Sequence, residues 1–218
     1  RYLIGEIRSI EGLCRVRGEA CSIARVLPSH AHPDHFSGLG ALRDGLGLKI
    51  LLTQKMADTI GSREMYRESY RIERKQRNTL ARIVGERVIG PLVSHFYEAL
   101  YGTRFIGDPD EIIDENAALD IGGRRWRLIP SPGHSPDHIS LYNEESGILL
   151  GGDNVLRSVT TWLGPPKSNL DDYIHTLETI RDLPRLRVIL GSHGSAVDNP
   201  RERVDEIIRW RRRRLDHV

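Results

Sequence analysis

The alternation of apolar and polar positions along the chain predicts a layered protein of strands and helices. Short apolar runs rich in β-branched residues recur between turn residues, which is typical of strands. The runs are residues 22–28, 48–53, 125–130, 138–142, 148–151 and 186–190. Several are apolar on both faces, as expected for a sheet that another layer covers.

Helical spacing predicts two helices in the last quarter of the chain. Residues 171–183 carry apolar side chains at helical intervals, and the two Asp residues that lead this segment suit a helix N-terminus. Asn199 as N-cap and Pro200 in the first turn predict the start of a final helix. Helices among the strands indicate an α/β fold, and a length of 218 residues fits a single domain, residues 1–218.

Residues 57–107 interrupt this pattern and are predicted to form a helical insertion. Leu92, Phe96 and Leu100 recur at four-residue steps, and the segment holds no convincing strand. Two roles stay open for it, extra packing or a roof over a site, and it is also a candidate surface for a homodimer.

Composition narrows the class of protein. The chain has 32 Lys and Arg residues against 30 Asp and Glu. This balance leaves a nucleic-acid partner open but does not favour one. No apolar run reaches the roughly 20 residues of a membrane span, so we expect no membrane partner. Cys14 and Cys21 are the only cysteines and form no disulfide framework, which favours a reducing, cytoplasmic location.

The strongest chemical signal is a dense group of potential metal ligands directly after the first predicted strand. It reads His30-Ala-His32-Pro-Asp34-His35. In a loop at a strand end, alternate residues such as His30 and His32 can point to one metal while Asp34 and His35 turn toward a second. Imidazoles with a carboxylate suit Zn, Fe or Mn.

Further candidate ligands follow three later strands, each beside glycine. His134 follows the strand at 125–130, Asp153 follows the strand at 148–151, and His193 follows the strand at 186–190. Glycine frees the backbone for a tight turn. Four ligand-bearing turns at strand ends predict a two-metal site.

These motifs together resemble the metallo-β-lactamase superfamily, with its four-layer αββα sandwich. The motifs are H-x-H-x-D-H, P-G-H-S, G-D and G-S-H-G, and the likeness runs from about residue 22 to 215. It implies that one metal is held by His30, His32 and His134 and the other by Asp34, His35 and His193. Asp153 would bridge the two.

The ligand types separate the subfamilies. Asp153 is unlike the zinc β-lactamases, which have Cys or no bridging ligand there, and His32 is unlike the flavodiiron oxygen reductases, which usually have Glu. The chain is similar to glyoxalase II-type thioesterases, lactonases, persulfide dioxygenases and small endoribonucleases. The short stretch after His193 leaves no room for a glutathione-binding helical domain, so we do not expect glutathione specificity.

One departure concerns the first residues. The family usually shows a strand that ends in apolar-Asp-Thr/Ser-Gly before the first metal loop, but no Asp precedes Asp34. Either the leading strands are atypical or a segment is absent, and the resemblance does not extend to residues 1–21.

The resemblance implies a hydrolase with two divalent metal ions, Zn before Fe or Mn, that uses a metal-bridging hydroxide on a small ester or thioester. Asp34 and Asp153 are the candidate catalytic proton carriers. A lactonase, an endoribonuclease on single-stranded RNA and a mononuclear-iron persulfide dioxygenase remain alternatives. The candidates for supporting the ligands or contacting substrate are His138, Ser135, Trp162 and Tyr173, and core packing is the alternative for the two aromatic residues.

Overall fold

The computed structural model describes residues 2–19, 21–69, 102–164 and 167–215. Among these residues the strands form two sheets, with the orders β1-β2-β3 and β4-β5-β6-β7-β8. The strands are β1 (Arg25–Val26), β2 (Lys49–Thr53), β3 (Glu111–Ile113), β4 (Ala118–Ile121), β5 (Arg124–Pro130), β6 (Ile139–Asn143), β7 (Ile148–Gly152) and β8 (Val188–Gly191). The helices are α1 (Tyr2–Val16), α2 (Pro33–Phe36), α3 (Leu39–Leu46), α4 (Gln54–Ile60), α5 (Arg63–Ser69), α6 (Leu170–Arg181) and α7 (Pro200–Leu215).

The chain divides into two units. The first comprises Arg1–Pro28, His32–Leu51 and Ala57–Glu111, and the second comprises Ser29–Ala31, Leu52–Met56 and Ile112–Val218. The division therefore passes through the predicted first metal loop, between Ala31 and His32.

In the first unit, apolar residues from helices and strands form a small core. β1 pairs in parallel with β2, so that Val26 lies opposite Ile50. Ile7 of α1, Leu42 of α3 and Leu48 pack together there. Helix α3 ends at Gly47, whose positive φ of 69° suits glycine, and the Gly47 amide donates to the carbonyl oxygen of Arg43.

In the second unit, α6 and α7 pack their apolar faces against the five-stranded sheet. Tyr142, Leu149 and Ile189 of the sheet are buried in one core with apolar residues of both helices, which are Tyr173, Leu177, Ile180, Val204, Ile207 and Ile208. Side chains at i, i+3, i+4 and i+7 share one face of a helix, which explains why these positions meet the sheet. The Asn169 side chain caps α6 by accepting from the backbone amides of Asp171 and Asp172.

The pairing of this sheet brings several loops to one edge. β5, β6 and β7 are successively antiparallel, and β8 runs parallel to β7. The C-terminal ends of β5, β7 and β8 therefore lie at the same edge. His134, Asp153 and His193 follow those three ends.

The predicted α/β class is confirmed, and each predicted strand overlaps an observed one, with ends that differ by up to three residues. The two predicted C-terminal helices are also observed, as α6 and α7. The short strands β3 and β4 and helix α1 were not predicted. Of the predicted insertion, residues 57–69 and 102–107 are described, α5 is helical, and residues 70–101 lie outside the described residues. None of the described helices has the length and apolar character to cross a membrane.

Candidate metal centre

Four predicted ligands meet at the loop edge of the five-stranded sheet. The Nε2 atoms of His30 and His134 lie 3.2 Å apart. The two carboxylate oxygens of Asp153 face different histidines, because Oδ2 lies 3.6 Å from His134 Nε2 and Oδ1 lies 3.6 Å from His193 Nε2. Asp153 therefore lies between His134 and His193.

The other three predicted ligands, His32, Asp34 and His35, belong to the first unit. Pro33 begins α2, which carries Asp34 and His35, and His35 Nε2 lies 3.6 Å from Asp34 Oδ2. These residues follow His30 by two to five positions, so the covalent chain keeps them in the loop that begins with His30.

Hydrogen bonding fixes how His134 presents its ring. His134 Nδ1 lies 2.8 Å from the carbonyl oxygen of Trp162. A carbonyl oxygen only accepts, so Nδ1 carries the proton, and Nε2 of the neutral ring keeps its lone pair. That lone pair is on the nitrogen that faces His30 and Asp153. An imidazole oriented in this way by a backbone carbonyl is typical of a metal ligand.

The backbone at Asp153 is held by His138. The Asp153 amide donates to His138 Nε2 at 3.1 Å, and His138 Nδ1 lies 2.8 Å from Ser131 Oγ. Gly152 makes this approach possible, because a Cβ at this position would lie 2.3 Å from His138 Nε2, and its φ is +52°. His138 is buried and accepts from the backbone, so the structure places it in support of Asp153.

Asp137 is the residue of this region that sequence reasoning missed. Its buried carboxylate accepts from the Ala31 amide, at 2.6 Å from Oδ2, and from the Ser135 hydroxyl. Ala31 lies between His30 and His32, so Asp137 ties the first metal loop to the loop that carries His134. The available signal was a carboxylate three residues after His134, but a loop Asp is usually exposed.

The remaining predicted residues have different surroundings. Ser135 is buried and bonds the Asp137 carboxylate, so its partner is not one of the predicted ligands. Trp162 is 63% exposed. Tyr173 is fully buried in the core, so it does not line a substrate groove. Its hydroxyl instead donates to the carbonyl oxygen of Asn154, next to Asp153, and burial raises its pKa to about 12.

Exposure differs across the cluster. The His193 side chain is 54% exposed, whereas that of His134 is 4% exposed. Lys167 lies one residue before Ser168, whose hydroxyl donates to the carbonyl oxygen of His134. Burial lowers the pKa of the Lys167 ammonium, and the negative charge of Asp137 acts against this shift. Because the His193 side chain is the more exposed of the two histidines, solvent reaches the cluster from the side of His193.

Comparison with known proteins identifies the family. The model of the metallo-beta-lactamase superfamily matches residues 4–193. A Caenorhabditis elegans protein, beta-lactamase-like protein 2 homolog, is 36% identical over 102 residues, which are 47% of this chain and 33% of that protein. An acyl-coenzyme A thioesterase of Gallus gallus is 33% identical over 76 residues, which are 34% of this chain and 27% of that protein.

The fold of the chain also matches solved structures of this superfamily. A metallo-beta-lactamase family protein from Thermus thermophilus superimposes with a TM-score of 0.70 and 24% identity, over 95% of this chain and 67% of that one. The chain thus belongs to the metallo-beta-lactamase superfamily, and the predicted family and fold class are confirmed. The matched segments span about a third of the length of the curated relatives.

The donor set of the cluster fits a divalent metal ion. The ligand atoms of His30 lie within 4.8 Å of those of His134 and Asp153, and imidazole with carboxylate is a donor combination that Zn and Fe accept. The residues present are therefore compatible with the metal-binding character of the superfamily.

Proposed function

We propose that this chain is a metal-dependent hydrolase of small esters or thioesters, with two divalent ions bound at one centre. The observation that carries the proposal is the position of Asp153, whose two oxygens each face a different histidine at 3.6 Å. A carboxylate with this arrangement is suited to join two ions.

We propose that His30, His32 and His134 hold one ion, that Asp34, His35 and His193 hold the other, and that Asp153 joins them. The support is the distance between His30 and His134, the placement of His193 beside Asp153, and the six-residue loop that carries the other three. Zn is the expected ion, with Fe and Mn as alternatives.

When bound by these residues, two divalent ions would supply a deprotonated water near neutral pH and would polarise a carbonyl oxygen. The chain contributes orientation. His134 is fixed in one tautomer by the Trp162 carbonyl, and the Asp153 backbone is fixed by His138. Asp34 and Asp153 are the carboxylates that can accept a proton and pass it to the leaving group.

The substrate class is proposed from a relative and from a residue next to His134. The Gallus gallus protein that shares 33% identity is named an acyl-coenzyme A thioesterase. Trp162, 63% exposed and bonded through its carbonyl to His134, offers an apolar surface for an acyl group.

The test is a substrate panel on the Zn-loaded protein, with acyl-coenzyme A thioesters, aryl esters, acyl-homoserine lactones, single-stranded RNA and glutathione persulfide with oxygen. We expect thioester or ester hydrolysis that is lost in His193→Ala. His175→Ala is the matched control, because His175 is an exposed histidine on α6 of the same unit. It belongs to none of the potential metal-binding groups of the described residues. Activity on RNA or lactones alone, or oxygen consumption with the persulfide, would replace the ester or thioester proposal with that activity.

A further inference from the structure

Helix α7 carries Arg211, a half-buried arginine. Besides lying 4.9 Å from the ring centre of its neighbour Trp210, it has two contacts that connect to the candidate metal centre. Arg211 Nη2 donates to the carbonyl oxygen of Thr161. Its guanidinium also lies 5.4 Å from the centre of the Tyr173 ring. Both contacts are with residues of the second unit.

Each of these partners bonds the backbone at the bridging carboxylate. The Thr161 hydroxyl donates to the carbonyl oxygen of Asp153, and the Tyr173 hydroxyl donates to that of Asn154 at 2.7 Å. Arg211 is therefore connected, through Thr161 and Tyr173, to the backbone carbonyl groups of Asp153 and Asn154. Asp153 is the residue whose carboxylate faces both His134 and His193.

The same segment also reaches the second ligand. Trp162 directly follows Thr161, and its carbonyl oxygen accepts from His134 Nδ1 at 2.8 Å. Arg211 bonds the carbonyl group of Thr161, and the carbonyl group of the next residue, Trp162, orients the His134 ring. The position of the peptide between Thr161 and Trp162 therefore affects both contacts. Displacement of this peptide would change the Asp153 and His134 positions together.

Stability alone does not account well for this arginine. Burial lowers the pKa of the Arg211 guanidinium, which means that its charged form carries a desolvation cost. Its Nε is buried without a hydrogen-bond partner among the described residues. A side chain kept under these conditions is a candidate for a positional role.

We propose that Arg211 is a positioning residue, which holds the 161–162 segment so that Asp153 and His134 have their metal-binding geometry. This inference rests on the proposed metal centre. Partners that orient ligands usually account for about 10- to 100-fold in metal affinity. The loss of Arg211 should therefore weaken metal binding by about that factor while the fold is kept.

The test measures Zn²⁺ affinity by competition with a chromogenic chelator, and records the absorption spectrum of the Co²⁺-substituted protein. The variants are Arg211→Met and Arg211→Lys, and the matched control is Arg201→Met. Arg201 lies on the same helix and donates to the backbone carbonyls of Leu183 and Leu186. Among the described residues, neither leucine is bonded to a predicted ligand.

We expect Arg211→Met to bind Zn²⁺ about 10- to 100-fold more weakly and to alter the Co²⁺ spectrum. Arg211→Lys, which keeps a donor for Thr161, should recover much of the affinity, and Arg201→Met should bind as the wild type does. Unchanged affinity and spectrum in Arg211→Met, or an equal loss in Arg201→Met, would overturn the inference.

Two further outcomes are possible, and each has its own interpretation. If Arg211→Met does not fold, Thr161→Val decides, because it removes the hydroxyl that bonds Asp153 and keeps the branched shape. Weaker Zn²⁺ binding in Thr161→Val supports the positioning role, and wild-type binding overturns it. If the wild-type protein binds neither Zn²⁺ nor Co²⁺, the proposed function fails, and this is distinct from a failure of the Arg211 inference.

Discussion

Substitution of Asp137 should destabilise the protein in two graded steps. Its buried carboxylate accepts two hydrogen bonds, from the Ala31 amide and the Ser135 hydroxyl. Hydrogen bonds to a charged group contribute about 1.5–3 kcal/mol each, and neutral ones about 0.5–1.5 kcal/mol. Asn can keep both contacts in neutral form, because its oxygen can accept from Ala31 while the Ser135 hydroxyl turns to accept from the amide.

We therefore expect the free energy of unfolding to fall by about 2 kcal/mol in Asp137→Asn and by about 4 kcal/mol in Asp137→Ala. The Ala variant loses more because it removes both bonds and leaves the Ala31 amide buried without an acceptor. Urea unfolding of the metal-free protein measures both. With a slope of about 2 kcal/mol per molar urea, the midpoint should fall by about 1 M and about 2 M respectively. The metal-free form is used because bound metal would add its own stabilisation.

Asp198→Asn is the control, because Asp198 is an exposed carboxylate that pairs with Arg157 at 2.9 Å. An exposed ion pair contributes about 0–1 kcal/mol, so its midpoint should fall by less than about 0.5 M. The reasoning is refuted if Asp137→Asn unfolds at the wild-type midpoint, or if Asn and Ala destabilise equally.

Three further changes test separate parts of the structure. Gly152→Ala should weaken Zn²⁺ binding in the chelator competition, because its Cβ would displace His138. Gly122→Ala is the control, because Gly122 has a similar φ of +61° and a Cβ there would meet nothing within 4 Å. It should lower the free energy of unfolding by about 1–2 kcal/mol and leave Zn²⁺ binding unchanged. Asn169→Ala removes the cap of α6 and should cost about 1 kcal/mol in urea unfolding, and a wild-type midpoint would contradict the capping role. Burial raises the Tyr173 pKa from 10.0 to about 12, so the stability that it contributes is full below pH 10.0 and is lost as pH rises toward 12. Tyr173→Phe should make unfolding less pH-dependent in that window, and an unchanged profile would exclude this group as the cause.

The sequence predicted the parts of the fold whose residues have a strong local pattern. The six predicted strands are mostly apolar and well bounded by turns. β4 was missed because this edge strand is largely exposed, so Ala118–Ile121 shows no alternation that a buried face would impose. β3 has three residues, too few to show a period. Helix α1 was missed because it buries Ile7 but exposes much of its other apolar surface.

The candidate site was predictable where chemistry and strand ends coincide. His134, Asp153 and His193 each follow a strand, and the sheet pairing brings those ends to one edge. The support around them was not predictable, because much of it uses backbone atoms. The Trp162 carbonyl that orients His134 and the Asp153 amide that bonds His138 have no sequence signature. Arg211 is the first of four consecutive arginines, 211–214, and nothing in the sequence distinguishes it from its neighbours.

The central claim is a two-metal centre, and the most direct measurement is the number of metal ions bound per chain. Elemental analysis of the gently purified protein, and again after reconstitution with Zn²⁺ and removal of excess metal, gives this number. We predict two divalent ions per chain, with a clear loss of bound metal in Asp153→Ala and no change in Asp198→Asn. A wild-type protein that retains no metal after reconstitution, or an Asp153→Ala variant that still binds two ions, would contradict it.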